Sequence, residues 1–347
     1  MDLRREPSQE ILLLDEIIEE PPPPRAMPTP RPLSSPKPGV PMHIGAYQIT
    51  RSYSSGMVDG VYRAYKLSPH GLLTQAVLKW ARRSRPDFEV KREVLLDEAK
   101  ALAAIHHPNV VRLLDTDEDE DGLYIALEFI PGTDLRTVMS ELVRQNLRLP
   151  SALSCYVAVC VLRGLDHAHR AVDDLGHPLD IIHRDVTPSN ILLSHEGHLK
   201  LTDFGVVRMN NRQQPVTLPG LVKGKFRYMA PEYVEGGPPS TRSDIYAVGV
   251  TLFELFSGRY AFNEEGRRNI FKAIMEDGLD LSPLSFSNTP RALVDVVARA
   301  TDRRPEQRYG SAGAMADALE SWLRRSGNFV SASALAQVLK QLDLPEG

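Results

Sequence analysis

The run "IIHRDVTPSNILL", Ile181 to Leu193, sets an acid and an amide, Asp185 and Asn190, five positions apart between apolar flanks. Thr187 lies between them, next to Pro188. Two further charges stand where burial is expected. Glu98 falls between Leu95 and Leu102 on the apolar face of a helical pattern, and Lys79 shares a strand face with Val77 because strand side chains alternate. A carboxylate and an ammonium on inward faces are costly unless they are paired. Groups of these types handle protons and fixed charge, so what they do depends on the elements that position them.

"AYQITRSYS", "GVYRAYKL" and "LLTQAVLKWA" predict strands, being rich in Tyr, Val and alternating residues. "SPHG", Ser68 to Gly71, turns between the second and third. "FEVKREVLLDEAKALAAIHH" predicts a helix stopped before Pro108, and "VVRLLD" and "GLYIALEF" predict two more strands around the acidic loop "TDEDEDG". These make a five-stranded antiparallel sheet with one helix. Beyond Gly132 the pattern turns mainly helical; "SALSCYVAVCVLRGLDHAHR" repeats apolar residues such as Leu153, Val157, Cys160 and Val161 at helical spacing. The expected fold class is α+β with two lobes. A small antiparallel β-sheet lobe with one helix spans residues 45–131, and a larger, mainly helical lobe spans 132–325. The cleft between them is where a small ligand is expected to bind.

A chain of 347 residues suits one large or two moderate domains. Its 42% hydrophobic and 25% charged residues are ordinary globular values, and a net charge of -4 gives no reason to expect a nucleic-acid partner. Two cysteines, Cys155 and Cys160, exclude a disulfide framework or a four-Cys metal site and read as small core residues in a reducing compartment. No apolar run is long enough to span a bilayer, and the N-terminus lacks a basic-then-apolar signal pattern. The expectation is a soluble cytoplasmic protein without a membrane partner. Residues 1–44 stand apart. "EEPPPPRAMPTPRPLSSPKPGVP" is too rich in proline for helix or central strand and reads as a disordered or polyproline-like linker. Before it, "SQEILLLDEIIEE" reads either as a short helix capped at Ser8 that docks a partner, or as a tail that is only sometimes helical. Residues 326–347 read as a C-terminal helical tail, and nothing repeats at a fixed period.

"HRDVTPSN" resembles the catalytic loop of the protein kinases, H-R-D-L-x-x-x-N. Further matches follow in the family's order over roughly residues 45–325: "AVLKW", "TDFGVVR", "YMAPEY", "SDIYAVGV" and "RRPEQRY". The resemblance implies ATP and Mg²⁺ as cofactors and a protein as substrate. It implies that Lys79 holds the α- and β-phosphates, that Glu98 positions Lys79, and that Asp185 orients the substrate hydroxyl and accepts its proton. Asn190 and Asp203 would hold Mg²⁺, with Phe204 packing inward. Glu232 would close the activation segment and pair with Arg308, and Asp244 would brace the catalytic-loop backbone. Around the adenine the resemblance places Leu127 as gatekeeper, Glu128 and Ile130 as hinge backbone groups, and Asp134 at the ribose. Val61, Val77 and Leu192 would sandwich the purine, a role compatible with ordinary core packing.

The chain departs from the family in three places. The pattern G-x-G-x-x-G-x-V falls on Ser54 to Val61, with only Gly56 in register. Ser54 takes the first glycine position, and Asp59 takes the third, adding a negative charge near the phosphates. In the catalytic loop Thr187 stands where Ser/Thr kinases carry Lys, and in "GKFRYMAPE" Lys225 stands where they carry Thr. The pair reads as exchanged, because a long, flexible Lys reaches the same spot from the activation segment. This form is similar to some bacterial kinases of the eukaryotic type. The expected function is an ATP-dependent Ser/Thr protein kinase. The alternative is a pseudokinase, a nucleotide-binding or scaffolding module, to which the lost glycines and missing loop Lys point. Retention of Lys79, Glu98, Asp185, Asn190 and Asp203 argues against it. Thr217, the only hydroxyl residue between Gly205 and Lys225, reads either as an autophosphorylation switch served by Arg184, Arg208 and Arg212 or as a polar turn residue between Pro215 and Pro219.

Overall fold

The computed structural model describes residues 42–53, 58–204, 225–262 and 267–344, the side chains of Lys225, Arg267 and Arg268 excepted. The first lobe runs β1 (His43–Ile44), β2 (Tyr47–Tyr53), β3 (Gly60–Leu67), β4 (Leu73–Arg82), α1 (Phe88–Ala104), β5 (Leu113–Glu118) and β6 (Gly122–Glu128). The strands form one sheet in the order β1-β2-β3-β4-β6-β5, with every neighbouring pair antiparallel.

The five expected strands are present, and the two-residue β1 adds a sixth at the edge. The strand expected over "VVRLLD" begins later and runs into the acidic segment as far as Glu118. Two features allow this. The Asp119 carboxylate accepts the N–H groups of Asp121 and Gly122 and closes the turn by itself. Arg83 and Arg92 then neutralise Glu118 at 2.6 and 2.9 Å.

Alternation in β4 divides the lobe. Ala76, Leu78 and Trp80 join Tyr47, Tyr62 and Tyr124 in one cluster. The opposite face carries Val77 and Lys79, and α1 presents Leu95, Glu98, Ala99 and Leu102 as buried residues.

The chain crosses at Glu128–Gly132 into the helical lobe. There β7 (Gly132–Asp134), β8 (Ile191–Ser194) and β9 (Leu199–Leu201) make a small sheet. The helices are α2 (Leu135–Arg144), α3 (Ser151–His169), α4 (Pro231–Val234), α5 (Thr241–Ser257), α6 (Arg267–Lys272), α7 (Ser282–Phe286), α8 (Arg291–Ala300), α9 (Ala312–Arg325) and α10 (Ala332–Gln341). Helix α5 is the axis of this lobe and is buried from Ser243 to Ser257. Its start is fixed by a capping box between Ser240 and Ser243, and its end by Gly258 in the left-handed region. Cys155 and Cys160 are free and buried in α3. Among the described residues no helix is long and apolar enough to cross a membrane.

Residues 326–344 do not trail from the lobe. Ser331 caps α10 by accepting the Ala334 N–H, and Leu335, Val338 and Leu339 join the main core. The β8–β9 turn makes room for this helix at Gly197, whose φ is +81°. A Cβ there would lie 1.8 Å from the Ala332 carbonyl oxygen.

Candidate active site

Register puts four residues on one face of the first sheet. Lys79 lies opposite Val61 in β3, and Val77 lies opposite Leu127 in β6, so all four side chains point the same way. The Lys79 Nζ sits 2.5 Å from Glu98 Oε1 on α1 and 2.7 Å from Asp203 Oδ1 after β9. Burial works against the ammonium, but Asp203 and Glu98 outweigh it and the Lys79 pKa rises, which keeps the group charged. Burial lifts the Glu98 carboxyl above the usual carboxylate range; Lys79 pulls it back and Asp203 adds to the rise.

The segment His183–Asp185 is held from below by one carboxylate. Asp244, at the start of α5, accepts the N–H groups of His183 and Arg184, both at 2.9 Å, and the Nε2–H of His169 at 2.8 Å. Arg184 and Asp203 have φ values of +69° and +60°, a left-handed backbone that ordinary side chains rarely adopt. Such strain persists where surrounding bonds over-determine it. The His183 ring is fully buried. Its Nε2–H donates to the Thr202 carbonyl at 2.9 Å, its Nδ1 accepts from Asp185 N at 3.3 Å, and it packs on Phe204 at 4.6 Å between ring centres. Burial lowers its pKa, in keeping with a neutral ring that both donates and accepts.

Asn190 closes a turn over Pro188–Asn190. Its Nδ2 donates to the carbonyl and to Oδ2 of Asp185, at 2.8 and 2.9 Å. The amide nitrogen therefore orients Asp185. Among the described residues no group of three or more His, Cys, Asp or Glu can hold a metal ion by itself. Asp203 and the Asn190 amide are instead a small set of hard oxygen donors, which fits Mg²⁺ shared with phosphate oxygens. Thr187 is buried, its Oγ1 has no hydrogen-bond partner among the described residues, and it lines a cavity of about 20 Å³ with Asp185, Tyr228 and Tyr233.

Below the cavity the segment after Lys225 is tied to the helical lobe. Tyr228 donates to Glu254 at 2.7 Å, and Arg308 binds Glu232 through two bonds of 2.8 and 2.7 Å. Of the residues expected around an adenine, Leu127 is buried, and Ile130 and Leu192 are half-buried. The Glu128 carboxylate is engaged by Lys200 at 2.7 Å and Arg112 N at 2.8 Å. Both oxygens of Asp134 are taken by Thr137, as the N-cap of α2. Ser54, Gly56 and Thr217 lie outside the described residues, as does the side chain of Lys225, whose backbone opens the turn Lys225–Tyr228.

Asp59 differs from expectation. Its carboxylate does not stand open beside a phosphate site: it is buried, accepts the Arg82 N–H at 2.7 Å and pairs with Lys91 of α1 at 2.5 Å. A buried carboxylate needs such partners. Sequence reasoning also missed His169 and Lys91, which have no local signal. It passed over His183, which stands inside the quoted loop.

The family model described as the protein kinase domain matches residues 55–321. The chain is 32% identical to the tyrosine-protein kinase MasK of Myxococcus xanthus over 299 residues, covering 85% of this chain and 46% of that protein. It is 29% identical to the serine/threonine-protein kinase PrkC of Bacillus subtilis over 268 residues, 77% of this chain and 39% of that one. It is 34% identical to the serine/threonine-protein kinase PknL of Mycobacterium tuberculosis over 226 residues, 65% and 53% of the two chains. The chain thus spans about half the length of the curated relatives it matches. The crystal structure of the Mycobacterium tuberculosis PknI kinase domain superposes with a TM-score of 0.57 at 25% identity, covering 82% of this chain and 97% of that one. By the match of the family model to most of its length, the chain belongs to the protein kinase domain family.

Proposed function

We propose that this chain is an ATP- and Mg²⁺-dependent protein kinase that phosphorylates serine or threonine hydroxyls of a protein substrate in the cytoplasm. The carrying observation is the grouping of a charged Lys79 between Glu98 and Asp203, with Asp185 oriented by Asn190. When bound, ATP supplies the phosphoryl group and Mg²⁺ neutralises its charge. Lys79 binds phosphate oxygens, and Glu98 keeps the ammonium in place. Asn190 and Asp203 are the metal-holding side chains. Asp185 takes the hydrogen bond of the substrate hydroxyl and then its proton. Val61, Val77, Leu127 and Leu192 receive the adenine, with backbone groups of Glu128 and Ile130 as its polar partners. Ser54 and Gly56 belong to the phosphate loop, and Asp134 to the ribose edge. Thr187 and Lys225 share the task of the catalytic-loop lysine, Thr217 is the autophosphorylation site, and the N-terminal tail docks a partner.

One observation favours a second acceptor, tyrosine: MasK, matched over 85% of this chain, is named a tyrosine-protein kinase. PrkC and PknL, named serine/threonine-protein kinases, and Pro188 in the loop support the first. Incubation with γ-labelled ATP and Mg²⁺, followed by phosphoamino-acid analysis, decides. Phosphoserine or phosphothreonine is expected, and Asp185→Asn should lower turnover by about 100- to 10,000-fold. Phosphotyrosine alone shifts the acceptor, and wild-type turnover in Asp185→Asn removes the mechanism.

A further inference from the structure

Asp59 occupies a place where a carboxylate has no evident task in phosphate binding, yet its side chain is only 3% exposed. It continues the β3–β4 ladder past its end. Its N–H donates to the Trp80 carbonyl at 3.0 Å, and its Oδ2 accepts the Arg82 N–H at 2.7 Å. The other carboxylate oxygen reaches out of the sheet to Lys91 Nζ at 2.5 Å, with Arg85 Nε 3.7 Å away. Lys91 also pairs with Asp87, the N-cap of α1, at 2.9 Å. Val58, next to Asp59, is buried in the same cluster as Phe88 and Leu95 of α1.

Lys91 and Glu98 are seven residues apart, about two helical turns, and so lie on one face of α1. That face is fastened at two points. Glu98 binds Lys79 in β4, and Lys91 binds Asp59 where β3 begins; β3 and β4 are direct neighbours. An outward swing of α1 as a rigid body stretches both ion pairs. We propose that Asp59 and Lys91 form a latch that positions α1, and with it Glu98, against the strand hairpin leading into the nucleotide cleft. Lys91 and Asp59 are thus positioning residues, an inference that rests on reading Lys79–Glu98 as the phosphate-holding pair.

The test uses the full chain as wild type, Lys91→Met and Lys91→Arg. Hydrogen exchange of the α1 amides is followed without nucleotide, beside the KM for ATP and the KM for a protein substrate. In Lys91→Met we expect exchange over residues 91–98 to quicken and the KM for ATP to rise, each about tenfold, with the KM for protein substrate unmoved. Lys91→Arg keeps the ion pair and should restore both. Wild-type exchange in Lys91→Met overturns the latch. Faster exchange with an unchanged KM for ATP also overturns it, leaving only a structural ion pair. A wild type that transfers no phosphate overturns the kinase reading instead. The latch is then decided by the same exchange data and by the Kd for ATP with Mg²⁺.

Discussion

His183 is the residue whose protonation the fold resists most plainly. Its Nδ1 accepts from Asp185 N and its Nε2–H donates to Thr202, so a second proton would break the first bond inside a buried site. Its pKa lies below the ordinary value because burial disfavours the cation. The folded state therefore binds fewer protons than the unfolded state once pH falls below the ordinary histidine value. This contribution to stability is whole at neutral pH and is lost on acidification, at up to about 1.4 kcal/mol per pH unit. His183→Gln should be less stable than wild type at pH 7.5, with the gap narrowing towards pH 5. Urea unfolding at the two pH values measures it, and a constant gap would exclude the assignment. At the same scale, the Thr187 hydroxyl, which has no hydrogen-bond partner among the described residues, is where the proposed exchange with Lys225 acts. Thr187→Lys with Lys225→Thr should recover much of the turnover that either change loses alone. Additive losses in a double-mutant cycle would show that the two residues act separately.

Elements in this molecule are joined at a few charged points. Asp244, at the start of α5, holds the backbone of His183 and Arg184, so the most buried helix sets the height of the loop carrying Asp185. Arg308 ties down α4 through the side chain of Glu232. Its side chain is fully buried and forks onto Glu232, and it also donates to the carbonyls of Asp302 and Arg242. Removing one partner of a buried pair leaves the other uncompensated. Arg308→Ala should therefore cost about 3–5 kcal/mol in chemical denaturation. A loss below about 1 kcal/mol would mean that the pair is solvated like a surface bridge.

Over the whole molecule, one apolar core runs from α1 through α3 and α5 to α10. Helix α10 lies beyond the 55–321 span that the family model matches, yet it contributes to that core. It is seated against the β8–β9 turn, and β8 pairs with β7 just after the crossing between the lobes. Leu335 is fully buried, so Leu335→Ala should destabilise the whole chain by about 2–5 kcal/mol, as a core truncation does. Thermal melting of the full chain checks this. A melting point equal to wild type would mark α10 as an appendage.

The sequence by itself determined what depends on local order. Alternation gave β2, β3 and β4, the 3.6-residue period gave α3, and the strings around Lys79, Asp185, Asp203 and Glu232 pointed to the protein kinase fold. It also flagged Glu98 and Lys79 as charges that needed partners, since an inward charge can be recognised from its neighbours alone. Tertiary structure decided what depends on residues far apart in the chain. Asp59 is 32 positions from Lys91, His169 is 75 from Asp244, and Gly197 meets Ala332. No local period encodes such pairings, because they form only where packing brings two separate elements to one place. For that reason Asp59 read as a negative charge near the phosphates, His169 went unnoticed and residues 326–347 read as a tail. The folded chain buries the Asp59 carboxylate in an ion pair with Lys91, ties the His169 ring to Asp244 by a hydrogen bond, and seats α10 in the core.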